Sequence, residues 1–397
     1  MTYYHNNTSL NHNNHSSKTL FLIGAGLHNA VLAREMANIG FNVKIYEQRS
    51  HIGGNCFDTT DKKTGILYHA YGPHIFHFSN IELLQWLSNF DEMIPFHHSV
   101  KSLYKGKLYP IPINLDTINL FFGCDLRPSE VDSFLKSQRI NSITPNNMEE
   151  KCISLIGKEL YEAFFKEYTL KQWGKEPRDL PPSTIERIPV RKNYNSSYYN
   201  KPFSYLPQHG FTFLIQNILN HPQIEINLNS KIELNELKQF SKSGLVVYTG
   251  ALDELFNQTF GKLEYRSLRF EKEYLPLEDF QGISVTNYPE LKYEWTRITE
   301  PKHFAHKQNK LLNTDYTLII KEFSYEHHSG QEPYYPINNN QNAILSKRYR
   351  DELNRIGNII PAGRLGSYCY TDMENTINNA LNLCKKIKKI LSIQMNL

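Results

Sequence analysis

The chain has 397 residues, 40% hydrophobic and 21% charged, the proportions of a soluble globular protein with room for two or three domains. Its 44 basic and 40 acidic residues leave a formal charge of +4, too slight to point to nucleic acid, although it favours an anionic small molecule locally. No apolar run approaches the roughly 20 residues of a membrane span. The five cysteines (Cys56, Cys124, Cys152, Cys369, Cys384) lack CxxC spacing, which argues against a disulfide framework or zinc site and for a reducing, cytoplasmic setting.

Residues 1–17, "MTYYHNNTSLNHNNHSS", are polar and lack the apolar core of a signal peptide, so a disordered tail is expected there. Thr19 to Ile23 is a short apolar run, as in a strand buried on both faces of a parallel sheet. Gly24 and Gly26 then supply a tight turn and a close approach of backbone to a pyrophosphate. Ala30, Val31, Ala33, Met36 and Ile39 recur at helical spacing up to Gly40, and Phe41, Val43 and Ile45 alternate as a second strand. That strand ends at Glu47, about 20 residues past the turn, where an acid receives ribose hydroxyls. Asn29 stands where the fingerprint has its third glycine and adds bulk, with its amide directed at the loop or the ligand.

A second glycine-bearing loop, "QRSHIGGNCFD", contributes Gln48, Gly54 and Asn55 to the candidate cofactor site and closes a first dinucleotide-binding segment over 18–80. From 81 to 180 the pattern reads as an inserted helical domain. Segments 181–207 and 262–340 read as an antiparallel sheet domain, and 208–261 and 341–397 as returning parts of the dinucleotide domain. In the last segment Thr371 and Glu374 suggest a capping box, and Ile377, Ala380, Leu381, Cys384, Ile387 and Leu391 mark one apolar face. Tyr370 and Asp372 then sit at a helix N-terminus, which favours an anion. The fold class expected is α/β: a discontinuous Rossmann-like domain built from both ends of the chain, with a helical and an antiparallel β insertion.

The motifs "IGAGLHNAV", "RSHIGGN", "YGPHIFH", "PINLDTIN", "IGKELYEAFFKEYTLKQWG", "RIPVR", "TRITEPKHF" and "GRLGSYCYTDM" resemble, in order and spacing, those of bacterial UDP-galactopyranose mutases over nearly the whole chain beyond the tail. The resemblance implies an FAD enzyme that interconverts UDP-galactopyranose and UDP-galactofuranose without net redox change. Reduced flavin attacks the anomeric carbon through N5, the sugar ring opens and recloses, and UDP returns. The nucleophile then belongs to the cofactor, and the protein supplies positioning and electrostatics.

By that resemblance His74 and His77 lie beside the isoalloxazine ring. Arg191 and Arg297 clamp the diphosphate, and Tyr198, Tyr335 and Tyr370 line the substrate site. Tyr168 and Trp173 surround uridine and sugar, while Glu322, Arg364 and Asp372 complete the pocket near flavin and substrate. The sequence departs from the family at Asn29, at His98 in place of an asparagine near the substrate, and at Phe203 and Phe323 in place of tyrosines. His98 and Phe203 bear on which sugar is bound. A homodimer is expected from the family alone. The competing readings are the same mechanism on another nucleotide-linked pyranose, N-acetylated or deoxy, and an amine-oxidase-like flavin oxidoreductase. A metal site at His69, His74 and His77 is disfavoured, because no cysteine or carboxylate sits at ligand spacing.

Overall fold

The computed structural model describes residues 19–138, 144–185, 189–310 and 315–395. The tail expected over 1–17, and Arg187 of "RIPVR", lie outside the described residues. A five-stranded sheet organises the fold, in the order Ile224–Asn227, Asn42–Tyr46, Thr19–Ile23, Leu245–Tyr248, Ile359–Pro361, with every neighbouring pair parallel. Thr19–Ile23 sits at its centre because its two faces are both apolar. Leu20 and Leu22 join the core that carries the first and last helices, whereas Phe21 and Ile23 join the core around Leu237 and Tyr248.

The Leu27–Ala37 helix packs against Met373–Met395 and Phe211–Leu219, and Ala30, Val31, Leu32, Ala33 and Met36 are fully buried. A helix apolar on most of its circumference needs cover on more than one side, and these two later helices provide it. Arg34 fastens one of them by donating from Nε to the Ile218 carbonyl and from Nη2 to those of Asn217 and Asn220. Those carbonyls close the Phe211–Leu219 helix, where the dipole favours a cation.

Asn29 is fully buried and aims at the loop. Its Nδ2 donates to the carbonyls of Ile23 (3.2 Å) and Gly24 (2.9 Å), and its Oδ1 accepts from His28 Nδ1 (3.0 Å). The extra bulk is thus a brace for the turn rather than an obstruction. Gly24 itself admits no substitute: its φ is +99°, and a Cβ would come within 2.3 Å of Thr249 Oγ1.

The middle of the chain is less helical than expected. Ile81–Leu87 is a helix, but Met93–Pro95, Val100–Tyr104 and Lys107–Ile111 are strands, and helices resume at Leu115. The last two of these strands join a seven-stranded sheet with Val285–Asn287, Arg297–Thr299, Thr317–Glu326, Tyr265–Leu275 and Tyr335–Pro336. That sheet is antiparallel except where Val285–Asn287 runs parallel to Val100–Tyr104. Phe203–Pro207 lies instead in a separate three-stranded sheet between Phe76–Phe78 and Met93–Pro95. The expected boundaries miss this because strand partners distant in sequence leave no local periodic signal. The capping box at Thr371 also differs. Asp372 caps the last helix through Asn375 N–H (2.8 Å), while Glu374 accepts from the backbone N–H of Ser79 (2.6 Å).

If Asn29 braces the turn, Asn29→Ala leaves two buried carbonyls without that donor. Urea unfolding should show a loss of about 1–3 kcal/mol, and an unchanged midpoint would refute the brace.

Candidate active site

The first cavity forms where the glycine turn meets the second glycine loop. Gly24, Gly26, Asn29, Glu47, Gln48, Gly54 and Asn55, the residues assigned to cofactor from the sequence, all line it. A Cβ on Gly54 would approach Gly26 Cα to 3.1 Å, so the two loops touch through bare backbone. Gly26 precedes the Leu27–Ala37 helix without a side-chain cap, which leaves first-turn amides for an anion. Glu47 is buried and fixed. Its Oε2 accepts Ala25 N–H (2.7 Å) and its Oε1 accepts Arg49 N–H (2.9 Å).

The second cavity lies between the seven-stranded sheet, the Lys158–Trp173 helical segment and the 198–201 stretch. Asn55, His74, Tyr334, Arg364 and Met373 line both cavities, so the two meet there. His77, His98, Tyr168, Trp173, Tyr198, Arg297, Tyr335, Tyr370 and Asp372, which the family resemblance placed at the substrate or flavin, line the second. The helix end bearing Tyr168 and Trp173 is anchored by Lys171, whose half-buried ammonium shares its three N–H groups among the carbonyls of Tyr288, Glu290, Tyr293 and Trp295. Burial pulls its pKa down to about 8.

The electrostatics suit a polar, anionic ligand. Arg297 pairs with Glu322 through Nη2 and Nε (2.7 and 2.8 Å to Oε2), and Glu322 is 1% exposed. Burial opposes the Arg297 charge, but Glu322 with Tyr168 and Tyr335 outweighs it and holds the pKa above the ordinary arginine value. Arg364 is different. Its Nη1 and Nη2 donate to the carbonyls of Tyr334 (3.2 Å) and Thr371 (3.1 Å), and its guanidinium lies 5.5 and 5.1 Å from the ring centres of Tyr335 and Tyr370. Among the described residues no carboxylate lies within ion-pair distance of it, so its charge remains available at the junction of the cavities. Three buried polar atoms on second-cavity residues have no partner among the described residues: His77 Nε2, His98 Nδ1 and Gln172 Oε1. Buried polar atoms are nearly always satisfied, and three orphans around one cavity mark where a ligand's polar groups belong.

Three expected residues, Arg191, Phe203 and Glu322, are not in the wall. Arg191 donates to the carbonyls of Ser197 and Tyr199 and so holds the loop that carries Tyr198, rather than facing the cavity. Phe203 pairs across strands with Phe78 and packs on the first core. Glu322 stands behind Arg297, and Phe323 turns to the other face of its strand, under Arg269. Sequence reasoning missed Lys201, whose ammonium reaches Asp372 (2.8 Å) and Glu374 (2.7 Å) beside the second cavity. It also missed Arg49, which pairs with Glu332 in the first cavity and lies 4.6 Å from the Tyr71 ring centre. A lysine within "YYNKPF" and an arginine two residues past the ribose acid were the available signals.

The site histidines are neutral. Burial, with a smaller push from Arg364 and Arg297 against a hydrogen bond to Gly72, takes His74 to about 4. Burial takes His77 and His98 to about 3, helped by Lys201 and by His77 respectively. Between pH 6.5 and 4 the unfolded chain therefore binds these protons and the folded chain does not, so stability is present above about pH 6.5 and falls as pH drops. In urea unfolding from pH 6.5 to 4, His98→Phe should flatten the dependence by up to about 1.4 kcal/mol per pH unit. An unaltered slope would contradict a neutral, buried His98.

Comparisons with known proteins fit this geometry. The sequence model described as UDP-galactopyranose mutase matches residues 163–370, and one for an NAD(P)-binding Rossmann-like domain matches 22–90. A probable UDP-galactopyranose mutase of Klebsiella pneumoniae is 39% identical over 92% of this chain and 94% of its own. A dTDP-fucopyranose mutase of Escherichia coli is 37% identical over 91% of this chain and 96% of its own. The crystal structure of a reduced UDP-galactopyranose mutase superposes with a TM-score of 0.73 at 16% identity, covering 94% of this chain and 96% of that one, a likeness of fold. With a family model spanning half its length and a relative this similar along nearly all of it, the chain belongs to the UDP-galactopyranose mutase family and is an isomerase built around a flavin cofactor.

Proposed function

We propose that the chain binds FAD across the first cavity and interconverts UDP-galactopyranose and UDP-galactofuranose in the second. The observation that carries this reading is the uncompensated Arg364 where the two cavities meet. The donor set of the first cavity fits a dinucleotide: bare glycine backbone, helix amides for a pyrophosphate, and Glu47 near the ribose position. When bound and reduced, FAD supplies the nucleophile for the anomeric carbon and is released unchanged, so there is no net redox.

The protein's part is to hold a diphosphate that leaves and later returns. Arg364 and the Arg297–Glu322 pair present guanidinium donors to it, and Tyr335 and Tyr370 bring hydroxyls to the same wall. Lys201 steadies Asp372, which lines the same cavity. His77 and His98, neutral and each with an orphaned nitrogen, offer hydrogen bonds to sugar hydroxyls without adding charge. No side chain need act as nucleophile. The cationic wall serves no purpose in amine oxidation, which sets that alternative aside. The second reading keeps the mechanism and changes the sugar to an N-acetylated or deoxy pyranose, favoured by the near-equal similarity to the dTDP-fucopyranose mutase.

Chromatography of UDP-galactofuranose incubated with the purified protein, with and without dithionite, tests this. UDP-galactopyranose should form only in the reduced sample. Flavin-bound protein that converts dTDP-fucofuranose but not UDP-galactofuranose would move the assignment to the deoxy sugar. Arg364→Met should lower kcat/KM by at least about tenfold, the loss of a charged hydrogen bond. An unchanged value would remove Arg364 from the diphosphate site.

A further inference from the structure

Behind His74 lies a group that the proposed reaction does not use: Asp58, His69 and His306, all buried, with ligand-type atoms within 4.8 Å of one another. We propose that His69 and His306 are positioning residues, a pair locked in one tautomeric arrangement that fixes the Pro73–His74 peptide where the two cavities meet.

The protons can be placed from the partners alone. The His74 backbone N–H can only donate, and it points at His69 Nδ1 (3.0 Å), so that nitrogen is bare and the ring carries its proton on Nε2. His69 Nε2 faces His306 Nε2 at 3.0 Å and must donate to it, so His306 carries its proton on Nδ1. That proton goes to the Pro207 carbonyl at 2.9 Å. Each ring holds one proton and every ring nitrogen is used. Burial keeps both rings below the ordinary imidazole range, consistent with neutrality.

The spacing also suits a metal ion, but the hydrogen bonds exclude one. A neutral histidine bound through Nε2 has its proton on Nδ1, and on His69 that proton would meet the His74 N–H head-on. Asp58 is engaged elsewhere, accepting from the N–H groups of Phe211 (2.5 Å) and Thr212 (2.9 Å).

Because the Pro73–His74 peptide is planar and trans, holding its N–H toward His69 directs the Pro73 carbonyl to the opposite side. The same loop is held a second time where His74 Nδ1 donates to the Gly72 carbonyl (2.8 Å). Phe304 stacks on the His69 ring at 4.8 Å between centres. The pair thus ties Pro207, at the end of a strand of the three-stranded sheet, to the loop lining both cavities.

The effect on cofactor rests on the flavin reading above, whereas the tautomers do not, so the two fail separately. Ring 1H–15N correlations of the ligand-free, 15N-histidine-labelled chain near pH 7 read them, with assignment from His69→Asn and His306→Asn. His69 protonated at Nε2 and His306 at Nδ1 are expected; His69 protonated at Nδ1, or added Zn2+ that binds at the His69 and His306 ring nitrogens and shifts their signals, would overturn the pair. His69→Asn keeps an acceptor near the Nδ1 position and should hold FAD within about twofold of the native affinity, whereas His69→Leu should weaken it roughly tenfold and shift the flavin reduction potential. Equal effects of Asn and Leu would refute the positioning role. The native tautomers decide the pair even where the Leu variant does not fold.

Discussion

The strand Thr19–Ile23 must be covered on both faces and paired on both edges, and the rest of the molecule answers that requirement. Its edges are met by Asn42–Tyr46, nearby in sequence, and by Leu245–Tyr248, more than half the chain away. Its faces demand the Leu27–Ala37 helix, which in turn needs the Met373–Met395 and Phe211–Leu219 helices. The chain leaves each strand of this parallel sheet at its carboxyl end, the end at which ligands bind. The two cavities lie side by side for this reason.

Around those cavities the polar side chains divide by what they pair with. Arg297 has a buried carboxylate partner, and Lys201 has one buried, Glu374, and one half-exposed, Asp372. Arg364 meets carbonyls and tyrosine rings but, among the described residues, no carboxylate, and Arg191 spends its donors on the backbone of a loop. A pocket whose cations were all neutralised would hold a diphosphate weakly, and one with none neutralised would be costly to fold. The neutral histidines belong to the same balance. Burial removes their charge, so they hydrogen-bond without competing for the anion.

Legibility in the sequence follows the range of the interactions. The turn, the first helix and Glu47 were readable because strand, glycines, periodicity and acid fall within one short stretch. Asn29 was visible as a departure, yet its purpose depends on the carbonyls of Ile23 and Gly24, which point at it only once the turn is closed. Arg191 and Phe203 were assigned to the wall by resemblance to the family, and neither reaches it. One is a loop clamp, and the other is core under a strand whose partners come from 76–78 and 93–95. Glu374 looked like a cap and instead reaches Ser79 and Lys201.

Residue pattern alone therefore determined the α/β class, the dinucleotide-type turn and, through motif order, the family, because these are written in spacings of a few residues. Resemblance to the family also named part of the second cavity's wall, His74, Tyr168 and Tyr370 among it. Tertiary structure decided which of the named side chains face the ligand and which brace those that do. A hydrogen-bonding side chain is short and directional, so its role is set by the few ångströms and the angle at which distant segments meet. Neither exists in the chain until the sheets have formed.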